Sequence, residues 1–191
     1  MLLQIQEAEL NFLFALQNLH CSWLDPIMIF FTELGNNGIA WIVIALICIC
    51  FKKSRRCGIL MGLTMLFCLA LGNGVIKNLV ARPRPFQVLG NPEILIIPPP
   101  SEYSFPSGHT MHGMASAVTI FLHNRKAGIA ALLGAAVIAF SRMYLFVHFP
   151  TDILGGAIIG TLAALMMYTL AKKIKPVKQT SAESDQRRIE E

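Results

Sequence analysis

Long apolar runs alternate along the chain with short polar breaks. The pattern predicts membrane-crossing helices at roughly 38–52, 57–80, 107–123, 127–147 and 151–172. A crossing takes about 20 apolar residues, so the second and fifth runs are clear, and the first and third reach that length only with their polar ends. Residues 4–18 repeat apolar positions at helical spacing, with Gln4, Glu7, Gln17 and Asn18 between them, which predicts an amphipathic helix lying at the membrane interface. Residues 24–34 are apolar but too short to cross, and Gly35-Asn36-Asn37-Gly38 is a helix-breaking string. We read 24–34 as a slanted or re-entrant segment feeding the first crossing. In the last run Gly156 and Gly160 form a GxxxG, which serves close helix packing.

Composition agrees with an all-α, polytopic membrane bundle of about five transmembrane helices. The 191 residues are 54% hydrophobic and 14% charged, and the mean hydropathy is +0.57. A soluble domain of this length carries more charge. The reading is one domain over 1–175 and a polar, mixed-charge tail over 176–191, expected to be disordered and cytoplasmic. The net charge of +5 invites a nucleic-acid reading, but its distribution argues against that partner. Lysine and arginine are absent from Met1 to Phe51. They then cluster at 52–56, at 125–126 and from Lys172 onward, at alternate ends of the predicted crossings. By the positive-inside rule these clusters are cytoplasmic, so the loops at 77–107 and 148–152 face outward. The five cysteines lie in or beside apolar runs without a CxxC pair and read as small hydrophobes. No cleavable signal peptide is predicted.

Polar residues at the outward ends then stand out, because an ionisable group near lipid is costly without a partner or a role. Pro150 suits the first turn of the last helix, which places Asp152 in that turn and His148 just before it. The aspartate can accept from His148 Nδ1 and leave Nε2 as a nucleophile aimed at solvent, or the two can be a structural pair. Ser107 reads as a helix N-cap followed by Gly108 and His109. Free N–H groups there make an anion site with His109 at its mouth as a proton donor, or simply an ordinary capped helix. Lys77 and Arg84 stand nearly two helical turns apart, although Pro83 and Pro85 end that helix. With Arg142 they give three cations on one side with no carboxylate surplus nearby, and a phosphate between them relieves the repulsion. Arg82 reads as an interfacial anchor or a residue behind the phosphate ligands, and His112 as support or packing. His20 and His123 look incidental. No His/Cys/Asp/Glu set has metal-ligand spacing, so no metal or other cofactor is expected. The long 82–106 connection reads as a functional loop whose Ile94–Ile97 patch either dips into the headgroup layer or packs over the bundle.

Three strings, Lys77-x6-Arg84-Pro85, Pro106-Ser107-Gly108-His109 and Ser141-Arg142-x5-His148-x3-Asp152, resemble the signature of the type 2 phosphatidic acid phosphatase (PAP2) superfamily, in order and without a substitution. The segment from Leu24 to Gly38, with its Asp-Pro and Thr-x-Leu-Gly, is also similar to small bacterial members. The resemblance implies a PAP2/haloperoxidase-like helical core and metal-independent chemistry. It implies His148 as a nucleophile that becomes phosphohistidine, Asp152 as its orienter and His109 as the acid. Lys77, Arg84, Ser107, Gly108 and Arg142 then hold the phosphoryl oxygens. The function it implies is hydrolysis of a lipid phosphate or diphosphate. Undecaprenyl diphosphate is favoured, with phosphatidic acid and phosphatidylglycerol phosphate as competitors. A lipid phosphotransferase and a non-catalytic lipid transport or binding protein are the alternatives. Oligomeric state is not legible.

Overall fold

The computed structural model describes residues 2–173, and the tail expected at 176–191 lies outside them. The described chain is all-helical. Helix α1 (Leu2–Gln17) leads into α2 (Leu24–Gly35) and α3 (Ile39–Cys50), followed by α4 (Arg55–Cys68). The backbone widens to π-helical geometry over Leu69–Ile76 before returning to α at α5 (Lys77–Val80). A short α6 (Pro85–Val88) starts the long loop that leads to α7. Helices α7 (Gly108–His123), α8 (Arg125–Tyr144) and α9 (Pro150–Lys173) complete the bundle.

Among the described residues four helical stretches are long and apolar enough to cross a membrane: Leu24–Cys50, Arg55–Val88, Arg125–Tyr144 and Pro150–Lys173. The first corrects the expectation for 24–34. That segment is the upper half of a 27-residue span rather than a separate re-entrant piece. The Gly-Asn-Asn-Gly string does break the helix, but only for one 3-10 turn. Asn37 (φ 52°) and Gly38 (φ 69°) take left-handed conformations there and α3 resumes at once. The run expected at 107–123 forms α7, whose 16 residues are short for a crossing by themselves. It can be short and polar because its neighbours enclose it: Met111, Ala115, Ser116 and Ala117 are fully buried.

Helix α9 packs on α7 through the expected GxxxG. A Cβ on Gly160 would stand 2.3 Å from the Met111 carbonyl oxygen, and one on Gly156 would stand 2.6 Å from that of Ser107. The backbones therefore touch where any side chain would hold them apart. The close approach fixes the start of α7 against the start of α9, where His109 and Asp152 lie. At the other end of the bundle Arg56 Nη2 donates to the Ala171 carbonyl (2.8 Å) and Lys172 sits over the Tyr168 ring. The basic clusters at 52–56 and 172–173 thus meet at the end opposite the signature residues. In the loop between α6 and α7, Leu95 and Ile97 pack with Met28, Tyr144, Leu145 and Val147, whereas Ile96 is exposed. Cys57 and Cys68 are buried as expected, but Cys50 is exposed among the apolar side chains of α3.

Candidate active site

His148 sits on the short turn between α8 and α9, with Phe146 and Phe149 on the same turn. Both phenylalanines are fully buried with Leu13 and Leu16 of α1 and Phe86 of α6. Burying these rings fixes the turn despite the left-handed φ of 58° at Phe146. His148 itself is 2% exposed and lines an open-mouthed cavity, so Nε2 is set below the surface, where the sequence had suggested an atom aimed at solvent.

The hydrogen bonds around the ring assign its tautomer. Arg84 Nη1 lies 3.3 Å from Nε2. A guanidinium only donates, so Nε2 accepts and the proton is on Nδ1. Nδ1 faces Ser104 Oγ at 3.4 Å and Asp152 Oδ2 at 3.5 Å, while Ser104 Oγ donates to the same Oδ2 at 2.5 Å. The expected aspartate–histidine contact is therefore long, and a serine bridges it. The Phe149 N–H also donates to Oδ2 (2.8 Å), and Arg82 Nη1 donates to Oδ1 (2.7 Å). Burial, then Arg84, Arg142 and Lys77, push the His148 pKa well below its ordinary 6.5, so the imidazole is neutral at neutral pH and its unprotonated Nε2 faces the Arg84 guanidinium.

The three expected cations converge on the same cavity, which has a volume of about 930 Å³. Lys77, Arg84 and Arg142 are all at least 95% buried. Arg84 Nε donates to the Glu102 carbonyl (2.7 Å) and Nη1 to the Val147 carbonyl (2.9 Å). Arg142 Nη1 donates to Thr32 Oγ1, while its Nε is buried without a partner among the described residues. Lys77 pairs with the Glu102 carboxylate, whose pKa is lowered chiefly by that hydrogen bond. Glu102 thus brings one carboxylate to the exposed lip of the cavity, and the three cations still outnumber it.

His109 stands across the cavity on the first turn of α7. Its Nε2 is 3.0 Å from Asn36 Oδ1, whose amide donates to Glu33 Oε2 (3.2 Å). The ring fits because residue 35 is glycine: a Cβ there would stand 2.5 Å from His109 Cδ2. Gly108 lines the cavity, but Ser107 does not. The Ser107 hydroxyl is fully buried and caps α7 by accepting from Thr110 N–H (3.5 Å). From the polar end the cavity continues between α3 and α4 along Ile42, Leu46, Ile59, Leu63 and Leu66. Among the described residues no group of three His, Cys, Asp or Glu side chains is placed to hold a metal ion.

Sequence reasoning brought the two histidines, Asp152 and the cations together. It missed Glu9, Thr32, Ser104 and Glu102, and treated His20 as incidental. His20 Nδ1 lies 3.0 Å from Asp25 Oδ1, and its ring stacks on Tyr144 at 4.3 Å, which ties the α1–α2 turn to the end of α8. The overlooked signal for Glu9 was its spacing: it shares one helix face with Leu13 and Leu16 at i, i+4 and i+7, so it faces the core.

A helical bundle with apolar spans and a buried histidine, aspartate and arginine site at one end defines a membrane phosphatase fold. The chain belongs to the PAP2 superfamily, which it matches over residues 58–176. It is 33% identical over 139 residues to an undecaprenyl-diphosphatase of Sulfolobus acidocaldarius, covering 72% of this chain and 66% of that relative. Phosphatidylglycerophosphatase B of Bacillus subtilis is 31% identical over 170 residues, covering 82% of this chain and 80% of the relative. The crystal structure of the transmembrane PAP2-type phosphatidylglycerolphosphate phosphatase from Bacillus subtilis superposes with a TM-score of 0.75 at 28% identity. That match covers 92% of this chain and 90% of the other. LpxE of Aquifex aeolicus (TM-score 0.65, 23% identity, 84% and 94% covered) shares the fold.

Proposed function

We propose that this protein hydrolyses a lipid phosphate or diphosphate through a phosphohistidine at His148, with undecaprenyl diphosphate as the favoured substrate. The observation that carries the reading is the neutral, buried Nε2 of His148 at the meeting point of three buried cations. Nε2 attacks phosphorus, and the bond from phosphorus to the leaving oxygen breaks. His109, facing it across the cavity, supplies the proton that oxygen needs. Lys77, Arg84 and Arg142 neutralise the phosphoryl oxygens, and the Gly108 N–H at the start of α7 adds a donor. Ser107 contributes by capping that helix start. A water activated by His109 then releases phosphate and restores His148. The apolar groove between α3 and α4 suits a lipid chain.

In this reading residues 1–175 form one phosphatase domain, with α1 at the membrane interface. The site faces the extracytoplasmic side and the C-terminus is cytoplasmic, supported by the basic residues at the opposite end of the bundle. The test is phosphate release by purified protein from undecaprenyl diphosphate, phosphatidic acid and phosphatidylglycerol phosphate, with chelator present. The favoured substrate should give the highest kcat/KM, and His148→Ala should release none above background. Full activity in that variant would refute the nucleophile assignment. A higher kcat/KM on a glycerolipid would refute the favoured substrate.

A further inference from the structure

Helix α1 reaches the back of the reacting pair through one residue. Glu9 is 6% exposed, and both of its carboxylate oxygens are engaged. Oε1 accepts from the Thr151 N–H (2.8 Å) and hydroxyl (2.6 Å), and Oε2 accepts from Arg82 Nη2 (2.6 Å). Arg82 Nη1 donates in turn to the Thr151 hydroxyl (2.6 Å) and to Asp152 Oδ1 (2.7 Å). The guanidinium lies over the Phe149 ring, 4.0 Å from its centroid. One arginine thus bridges two buried carboxylates 143 positions apart in sequence, and the trio carries one net negative charge.

That charge balance matters for the intermediate. When Nε2 forms its bond to phosphorus, Nδ1 keeps its proton and the ring becomes cationic. Arg84, Arg142 and Lys77 face the ring from the cavity side, with His109 opposite. The negative charge that supports the cation comes from Asp152 through Oδ2 and Ser104. An arginine on Oδ1 alone would cancel it. We propose that Glu9 is a positioning residue for catalysis: by taking up the Arg82 charge, it lets Arg82 hold Asp152 in place without neutralising it. This rests on His148 being the nucleophile.

The test uses full-length protein and the pH dependence of kcat/KM on a lipid phosphate that the wild type cleaves. Glu9→Gln keeps the shape but removes the charge, so protonating His148 becomes harder. The acid limb should move down by about half a pH unit and kcat should fall about tenfold, with KM little changed. Arg82→Gln leaves two uncompensated carboxylates, and its acid limb should move up. Leu13→Ala, on the same face of α1, perturbs packing alone and should leave the limb in place. Opposite shifts for Glu9→Gln and Arg82→Gln are a charge signature that loss of packing does not produce. If Glu9→Gln does not fold, the double variant Glu9→Gln/Arg82→Gln, which removes both charges, should bring the limb back near its wild-type position, and a limb as high as in Arg82→Gln alone overturns the proposal. A folded Glu9→Gln with wild-type kcat and limb also overturns it, while an inactive His148→Ala keeps the nucleophile reading intact. Retained activity in His148→Ala removes both.

Discussion

The two sides of the His148 ring are built on opposite plans. On the Nδ1 side every oxygen of Asp152 is used, by Ser104, Phe149 N–H and Arg82, and Arg82 is itself held by Glu9 and Thr151. On the Nε2 side the cavity wall is unfinished. Arg142 Nε, His112 Nε2 and Asn73 Oδ1 lack partners among the described residues, and all three side chains line the cavity. A buried donor without a partner costs about 1–3 kcal/mol, so Arg142 Nε is held in a state that a bound anion improves, while Asn73 Oδ1 is an acceptor open to a hydroxyl or water. One side fixes a direction, and the other keeps a place for what arrives.

Substitutions should separate the two sides in order of size. His148→Ala removes the group they share and should lower kcat by about 10⁴-fold, read as phosphate release under saturating substrate. Arg142→Ala acts on the open side, where it removes transition-state charge. A drop of about 10²–10³ in kcat is expected, and a pure rise in KM would instead mark a ground-state contact. Ser104→Ala acts on the closed side. It breaks the bridge but leaves Asp152 in place, so kcat should fall about tenfold with KM unchanged. Thr32→Val frees one Arg142 hydrogen bond and should cost about threefold. Finally, kcat/KM should stay level as pH falls from 7.5 past 6.5, because burial and the three cations keep His148 neutral there. A drop centred at 6.5 or above would mean that the Nε2 side is wetter than its 2% exposure indicates.

The same division explains what the sequence disclosed. The open side was legible because Lys77, Arg84, His109, Arg142 and His148 are charged or titratable residues in apolar surroundings, where each needs a reason. The closed side was largely hidden. Ser104 and Glu9 look ordinary on a loop and a helix, and their partners lie 48 and 73 residues away. No local periodicity encodes such a distance. Spacing did show that the Gly-Asn-Asn-Gly string breaks a helix. It did not show that two left-handed residues would let α3 continue the path of α2, because that depends on the packing of Gly35 against His109 and Ile138. The helical class and the GxxxG contact followed from composition and small-residue spacing, which are local properties.

The π-helical stretch from Leu69 to Ile76 has a genetic consequence. A π-helical turn holds about one residue more than an α-helical turn, so losing one codon here and relaxing to α geometry largely keeps the direction in which Lys77 points. One codon more, with the widening already used, would turn Lys77 and everything after it by about 100°. A single-residue deletion between 69 and 76 should therefore still present the lysine to the cavity, whereas a single-residue insertion there should turn it away, read as phosphate release. Descendants of this chain have one spare codon in the widened helix and no room for another.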